Sequence, residues 1–347
     1  MDRSSDFAAT TVYLNTASMG LPPRITQEAL TGALQDWAAG RAEPQDYDDD
    51  VTAARAMFAE FVHVPAEQVA IGHQVAPLIG LIAAALPDGA EVLVADGEFT
   101  SVSFPFAAHQ DRGVRVRQVP LAELASRVDA HTAVVAVAAV QSATGQIADL
   151  DRLEAACARH GAELVVDLTQ ATGWLDVHAG RFAATVCGAY KWLLSPRGSA
   201  FMTVRPELAA RLRPLAANWF AGEDVWESIY GLPLRLTTTA RRFDVSPAWH
   251  SWVGTRASLE YLRRIGTAAL QDHALELARI FEEGAGLPAG GSAIVSVHAD
   301  GTVPDVLAGL GVVAAPRAGR LRLSFHVHNT AEQAHRVGRA LRGRIHR

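Results

Sequence analysis

Between about Ile71 and Val204, short runs rich in β-branched residues alternate with Ala- and Leu-rich stretches long enough for helices, and this alternation constrains the fold more than any other feature. Strand-helix-strand repeats of this kind wind around a largely parallel sheet. Val92 to Ala95, Val114 to Val119, Ala133 to Val137, Leu164 to Val166 and Ala200 to Val204 read as strands, with Leu150 to His160 as one intervening helix. Ligands of such sheets collect at the carboxyl ends of the strands, so chemistry is expected just after these runs.

Before this block, Tyr13 to Pro23 reads as an extended segment with a turn, and helical stretches follow near Ile25 to Ala39 and Val51 to Phe61. After it, Asn218 to Trp252 is rich in Trp, Thr and Arg, has weak periodicity, and is expected to cross between domains or subunits. One helix is expected from about Arg256 to Glu283, then a Gly/Pro-rich loop from Gly284 to Gly291. A strand near Ile294 to His298, a helix near Val303 to Leu310, a strand at Leu321 to Phe325 and a terminal helix complete the chain. This divides 347 residues into an N-terminal segment 1–24, a large domain 25–255 and a small α+β domain 256–347 that takes in part of the N-terminal region.

Composition excludes several functions. A net charge of −6 gives no general attraction for nucleic acid or an anionic membrane. No apolar stretch reaches membrane-spanning length, and the polar, acidic start lacks the basic-then-apolar order of a secretory signal. The arginines near the end, Arg336 to Arg347, suit a helix terminus where the dipole favours cations. Cys157 and Cys187 are too few for a disulfide framework, so a reducing, cytoplasmic setting is expected. His326 and His328 share a strand face without neighbouring carboxylates or thiols in sequence, so no metal is expected and both are expected at the surface or the rim of the site. The G-x-G-x-x-G fingerprint of a dinucleotide site is missing after the early strands.

Two segments carry chemistry. In Leu164-Val165-Val166-Asp167-Leu168-Thr169-Gln170 an apolar strand ends in a carboxylate, which either caps the next helix or faces a cation such as a protonated pyridine nitrogen. In Cys187-Gly188-Ala189-Tyr190-Lys191-Trp192-Leu193-Leu194-Ser195-Pro196-Arg197-Gly198 a lysine stands in an apolar, turn-bounded stretch. It either snorkels to the surface or is buried with a lowered pKa, the state in which an amine condenses with a carbonyl. Gly72-His73-Gln74-Val75-Ala76 precedes a helical run, Leu78 to Leu86, whose free amides at Gln74 and Val75 suit an anion. In Leu321-Arg322-Leu323-Ser324-Phe325 the apolar residues alternate onto one face and send Arg322 to the other, where a guanidinium can pair with a carboxylate.

Together these segments resemble the class V aminotransferase family of fold-type I pyridoxal-phosphate enzymes, which includes cysteine desulfurases, kynureninase and isopenicillin-N epimerase. The resemblance covers nearly the whole chain. It implies an α/β large domain around a mixed, mostly parallel seven-stranded sheet flanked by helices, a small α+β C-terminal domain, and an N-terminal segment over the active site. It also implies pyridoxal 5'-phosphate as cofactor, an amino-acid substrate, and a homodimer with shared active sites.

Carried over residue by residue, Lys191 is the Schiff-base lysine and general base, Asp167 the pyridinium partner, and Gln170 a hydrogen bond to the phenolic oxygen. Gln141 falls where relatives place an Asn near that oxygen, and Phe99 where they place the residue that stacks on the ring. The hydroxyl common in the phosphate turn is absent, with Ala76 in its place. Tyr190 replaces the histidine of a Ser-x-His pattern, resembles kynureninase there, and is expected to hold phosphate. Trp219 and Ser246 resemble segments presented to the partner subunit's phosphate. Arg322 matches the binder of the substrate α-carboxylate, and Asn15 lies in the segment over the site.

The Tyr190 and Trp219 segments lean the reaction toward β-lyase chemistry, C–S or C–C cleavage, with transamination of a small amino acid as the alternative. A desulfurase needs a cysteine in a mobile loop, whereas Cys157 falls in an expected helix and Cys187 in the lysine segment. An epimerase or a cofactor-binding regulator without activity is less favoured.

Overall fold

The computed structural model describes residues 2–347. A first short strand, β1 (Val12–Tyr13), precedes seven that form one sheet: β2 (Val69–Gly72), β3 (Glu91–Ala95), β4 (Arg115–Val119), β5 (Thr132–Ala138), β6 (Glu163–Asp167), β7 (Ala184–Gly188) and β8 (Ala200–Val204). Their spatial order is β2-β8-β7-β6-β5-β3-β4. Only β8 is antiparallel to its neighbours, so the sheet is mixed and mostly parallel.

The five runs expected as strands are all present, and two further strands flank β8. Ala184–Gly188 carries little β propensity of its own, with Ala and Gly at its ends. It is a strand because β6 and β8 pair with it on both sides and every residue is buried.

Helices cover both faces, as a sheet of doubly buried strands requires. Asp48–Phe61, Leu150–His160 and Trp249–Ile265 supply Val51, Phe58, Leu153 and Leu259 to one core layer, in which the Phe58 and Phe201 rings stack at 4.1 Å. Val75–Ala84 and Thr100–Ala107 bring Ile79, Val102 and Phe106 to the other. Leu150–His160 starts where the Asp149 side chain accepts from the Arg152 amide and stops at left-handed Gly161. The single helix expected from Arg256 to Glu283 is two, Trp249–Ile265 and Thr267–Ala285, because Gly266 (φ 87°, ψ 144°) turns the chain between them. A buried ion pair, Arg55 with Asp244 at 2.6 Å, fastens edge strand β2: Arg55 donates to the Val69 carbonyl and Asp244 accepts from the Ile71 amide.

The C-terminal part forms a second, antiparallel sheet from β9 (Ile294–Ala299), β11 (Ala315–Arg317), β12 (Arg320–Ser324) and β13 (Ile345–His346), ordered β11-β12-β9-β13. Phe281, Val295, Leu323, Phe325 and Val337 fill its core beneath helices Thr267–Ala285 and Ala331–Leu341. The chain's start belongs to this layer. β1 pairs in parallel with β10 (Val312–Val313), Leu14 enters the same core, and Asn15 bridges to Ser324. From there residues 16–20 cross to the large sheet, where the Gly20 amide donates to the Tyr190 carbonyl at 2.9 Å. A Cβ on Gly20 would lie 2.1 Å from the Lys191 carbonyl oxygen, so only glycine allows this approach. Among the described residues no helix is long and apolar enough to cross a membrane.

Candidate active site

The carboxyl ends of β5, β6 and β7 deliver Ala138, Asp167 and Gly188 to one cavity, which Lys191 also lines. Lys191 sits in the loop between β7 and β8. The loop is closed by Leu194 N–H to the Lys191 carbonyl (3.1 Å) and Ser195 N–H to the Ala189 carbonyl (3.2 Å), with Leu194 in the left-handed region at φ 56°. Lys191 is also the chain's only lysine; apart from histidines, every other basic side chain is arginine. It is 5% exposed, and its Nζ stands 5.1 Å from the Phe99 ring centroid and 5.6 Å from that of Tyr190. Burial pulls the amine down to about 8, Asp167 opposes that shift, and Arg322 adds to it.

Asp167 is equally buried, and burial pushes its carboxyl up from the ordinary range; Oδ1 accepts from the Thr169 amide at 2.8 Å. No ion pair joins Asp167 to Lys191, although both face the cavity. Two desolvated groups of opposite sign, each without a charged partner in contact, call for a ligand that satisfies both. A flat aromatic cation carrying an aldehyde has the required donor set: its ring N–H answers the carboxylate and its carbonyl answers the amine.

Phe99 lines the same cavity at its mouth, 43% exposed, just before helix Thr100–Ala107. Its amide donates to Glu98 Oε1 at 2.8 Å, while Glu98 Oε2 accepts from the Ala138 amide at 2.9 Å and from Gln141 Nε2 at 3.0 Å. Gln141 is thereby turned toward Glu98 and lies outside the cavity, in the neighbouring cleft. Gln170 does line the cavity: its Nε2 donates to Ser142 Oγ (3.0 Å) and the Ala17 carbonyl (2.9 Å), and Trp192 Nε1 donates to its Oε1 (2.7 Å).

Arg322 is 1% exposed and has no carboxylate in contact. Its guanidinium donates to the Ser142 carbonyl and to Ser18 Oγ, both at 2.6 Å, and its Nε has no partner. Burial, with Arg317 nearby, pulls it down to about 10. A buried guanidinium held only by neutral groups has the charge and donors to receive an anion. It does not line the cavity itself; Ser142, which does, connects them.

At the far end of the cavity, His73, Gln74 and Val75 open helix Val75–Ala84, which no side chain caps. Tyr190, Arg197, Ser101 and Ser199 line the same wall, with the Arg197 guanidinium 4.9 Å over the Tyr190 ring. Burial raises the Tyr190 phenol. These groups suit a phosphate better than the turn alone, since Ala76 offers no hydroxyl and Pro77 no N–H.

Trp219, Ser246 and Asn15 are not brought into this cavity. Trp219 packs on Trp226 at 5.1 Å, and Asn218 Nδ2 donates to the Asp244 carbonyl at 2.9 Å, which holds the Trp219 and Ser246 segments together elsewhere. Asn15 Oδ1 is buried without a partner. His326, expected at the surface or the rim of the site, is fully buried instead: its Nε2 donates to the Trp192 carbonyl at 2.8 Å, and its Nδ1 accepts from the Val327 amide at 2.7 Å. His328 is buried too and donates to the Tyr13 carbonyl at 3.1 Å. Both thus fasten the small sheet to its neighbours. Sequence reasoning gave no role to Arg197, Ser142, Ser18 or Glu98. Only Arg197 left a signal, as the one other cation in the lysine segment.

The family model for aminotransferase class V matches residues 15–286. The chain belongs to that family. Enzymes of class V work with pyridoxal 5'-phosphate, and that is the cofactor these side chains fit. An uncharacterized aminotransferase, YcbU of Bacillus subtilis (strain 168), is 28% identical over 302 residues, 81% of this chain and 80% of that protein. Isopenicillin N epimerase of Streptomyces clavuligerus is 30% identical over 300 residues, 77% and 73% of the two chains. Among solved structures, a complex of the cystine C–S lyase C-DES with its product cysteine persulfide superposes with a TM-score of 0.84 at 20% identity, covering 96% of this chain and 97% of that one. This class V enzyme therefore shares the fold-type I architecture across nearly its whole length.

Proposed function

We propose that the enzyme is a β-lyase that cleaves a C–S or C–C bond of an α-amino acid, with Lys191 as its base. The observation that carries this reading is the pair Lys191 and Phe99, an amine and a hydrocarbon ring 5.1 Å apart on the cavity wall. Phe99 puts no proton acceptor where it stands, so a second base could come only from elsewhere on the wall, where Tyr190 and His73 stand among the groups that suit the phosphate, and this supports elimination with Lys191 as base over epimerisation by two bases. Neither cysteine lines the cavity: Cys157 lies in helix Leu150–His160 with its thiol pushed up to about 12, and Cys187 is buried in β7. Persulfide transfer through a mobile cysteine has no candidate among them.

When bound, pyridoxal phosphate supplies an electron sink for the substrate's α-carbon. The chain does the rest. Arg322, which lies behind Ser142, would bind the α-carboxylate once Ser142 and Ser18 give way to it, and the neutral Nζ of Lys191 would take the α-proton. Asp167 would meet the ring nitrogen with its negative charge, Phe99 would shield the ring from water, and the Gln74–Val75 turn with Tyr190 and Arg197 would hold the phosphate. A β-substituent that departs as an anion, a thiolate for a C–S substrate, would leave 2-aminoacrylate, which water converts to pyruvate and ammonia; carbon–carbon cleavage would instead need water to add to the acyl carbonyl, which would leave as a carboxylic acid while the β-carbon takes a proton to give alanine.

Transamination is the second reading, and the relative named an aminotransferase favours it. A panel of cysteine conjugates, kynurenine and small amino acids separates the two: release of pyruvate or alanine is expected, whereas conversion to the pyridoxamine form with every amino acid and no such release overturns the lyase reading. We also take the enzyme to be a cytoplasmic homodimer in which Trp219 and Ser246 serve the partner subunit's phosphate. Their place outside their own subunit's cavity is what this arrangement requires. A monomer of full activity in analytical ultracentrifugation would remove that assignment.

A further inference from the structure

We infer that His63, Asp176 and His178 form a surface site for a divalent transition metal, separate from the cofactor cavity. Both histidines present Nε2 to one carboxylate: His63 Nε2 is 2.7 Å from Asp176 Oδ1, and His178 Nε2 is 3.9 Å from Oδ2. The imidazoles stack at 4.0 Å with planes 10° apart, and the ligand atoms of the three residues lie within 4.8 Å of one another. Tetrahedral ligands about 2.0–2.1 Å from zinc stand roughly 3.3 Å apart, close to the spacing here, and because the ion must lie in the plane of each imidazole, the two exposed rings must turn out of their stack for both Nε2 lone pairs to reach it. Two imidazoles and one carboxylate suit Zn²⁺, Ni²⁺, Co²⁺ or Cu²⁺ rather than the oxygen-seeking Ca²⁺ or Mg²⁺.

The backbone supplies an independent argument. Helix Asp48–Phe61 ends with Val64 N–H donating to the Ala59 carbonyl and His63 N–H to the Glu60 carbonyl, the two bonds of a Schellman motif. In that motif His63 is the left-handed residue, at φ 57°, where glycine is the ordinary choice. A histidine held there against backbone preference points its ring at Asp176. The Ala179 amide, donating to the Val62 carbonyl at 2.9 Å, already clamps the two loops together. A metal would add a second clamp between the helix end and the loop that follows Gln170 and Trp174.

Zinc binding to the untagged, cofactor-loaded full chain tests this, by equilibrium dialysis with elemental analysis and by thermal melts. The natural chain should hold one equivalent and gain roughly 3–4 °C in Tm at free zinc a hundredfold above Kd. His63→Gly relieves the backbone while deleting a ligand, so its metal-free Tm should hold or rise while the zinc equivalent and the shift vanish. His178→Ala should lose both as well. Equal zinc uptake by the natural chain and either variant at matched cofactor content, or no saturable uptake by the natural chain, overturns the site.

Discussion

Replacing Arg322 with methionine should separate binding from stability. The guanidinium is buried with no acid beside it, so an apolar side chain of similar length should leave the Tm of the cofactor-free protein unchanged or higher. On the role proposed for Arg322 the same change takes away the partner of the α-carboxylate, and kcat/KM should fall on the order of 10²-fold, chiefly through KM. A fall in Tm with unchanged KM would reverse the assignment. Lys191 allows an unusually clean measurement, because the chain has no other ε-amine. Borohydride should fix one pyridoxyl group per chain, all of it in the Lys191 peptide, and Lys191→Ala should fix none. Only the neutral amine condenses with an aldehyde, so the rate of cofactor capture should rise with pH to a plateau beyond about 8; an inflection near the ordinary lysine value of 10.5 would contradict the burial effect. Asp167 and Arg322 are legible in sequence because they stand at a strand end and on a strand's polar face, and Lys191 because it is a lone amine in an apolar, turn-bounded stretch. Ser18 and Ser142 are not: they meet Arg322 across 304 and 180 residues, and nothing local marks such a partner.

At the scale of elements, the approach of residues 16–20 to the lysine loop is the contact most sensitive to volume. Gly20→Ala should destabilise the fold by about 1–3 kcal/mol and weaken cofactor retention, read as a lower Tm and faster loss of the visible absorption on dialysis. Asp244→Ala breaks the buried pair with Arg55 and frees edge strand β2, and should cost about 3–5 kcal/mol in denaturant unfolding. Five strands of the large sheet showed in the sequence as apolar, β-branched runs. β7 did not, because its small residues form a strand only when two neighbours pair with it. The break at Gly266 was overlooked for the opposite reason: the helical pattern on either side is strong, and one glycine interrupts it.

For the whole molecule, the buried histidines between the two sheets make acid the natural weak point. Burial holds His326 down to about 3 and His328 to about 4, against 6.5 in an open chain. As pH falls below 6.5 the unfolded chain takes up protons that the folded chain refuses, so stability present above that pH is lost by about 1.4 kcal/mol per unit for each histidine down to its folded value. His326→Asn should flatten the dependence of unfolding free energy on pH between 6.5 and 4.5 by that amount; an unchanged slope would mean the histidine is not neutral in the native state. Residues 12–20 add a consequence of their own. The first strand pairs with β10 beside the C-terminal sheet, and the residues after it are laid against the Lys191 loop, so the polypeptide joins the two parts near its beginning as well as at helix Thr267–Ala285. A protease cut between Tyr13 and Gly20 would leave one covalent tether between the two sheets, and their hold on each other would then rest on side chains such as His326 on the Trp192 carbonyl and Arg322 on the Ser142 carbonyl.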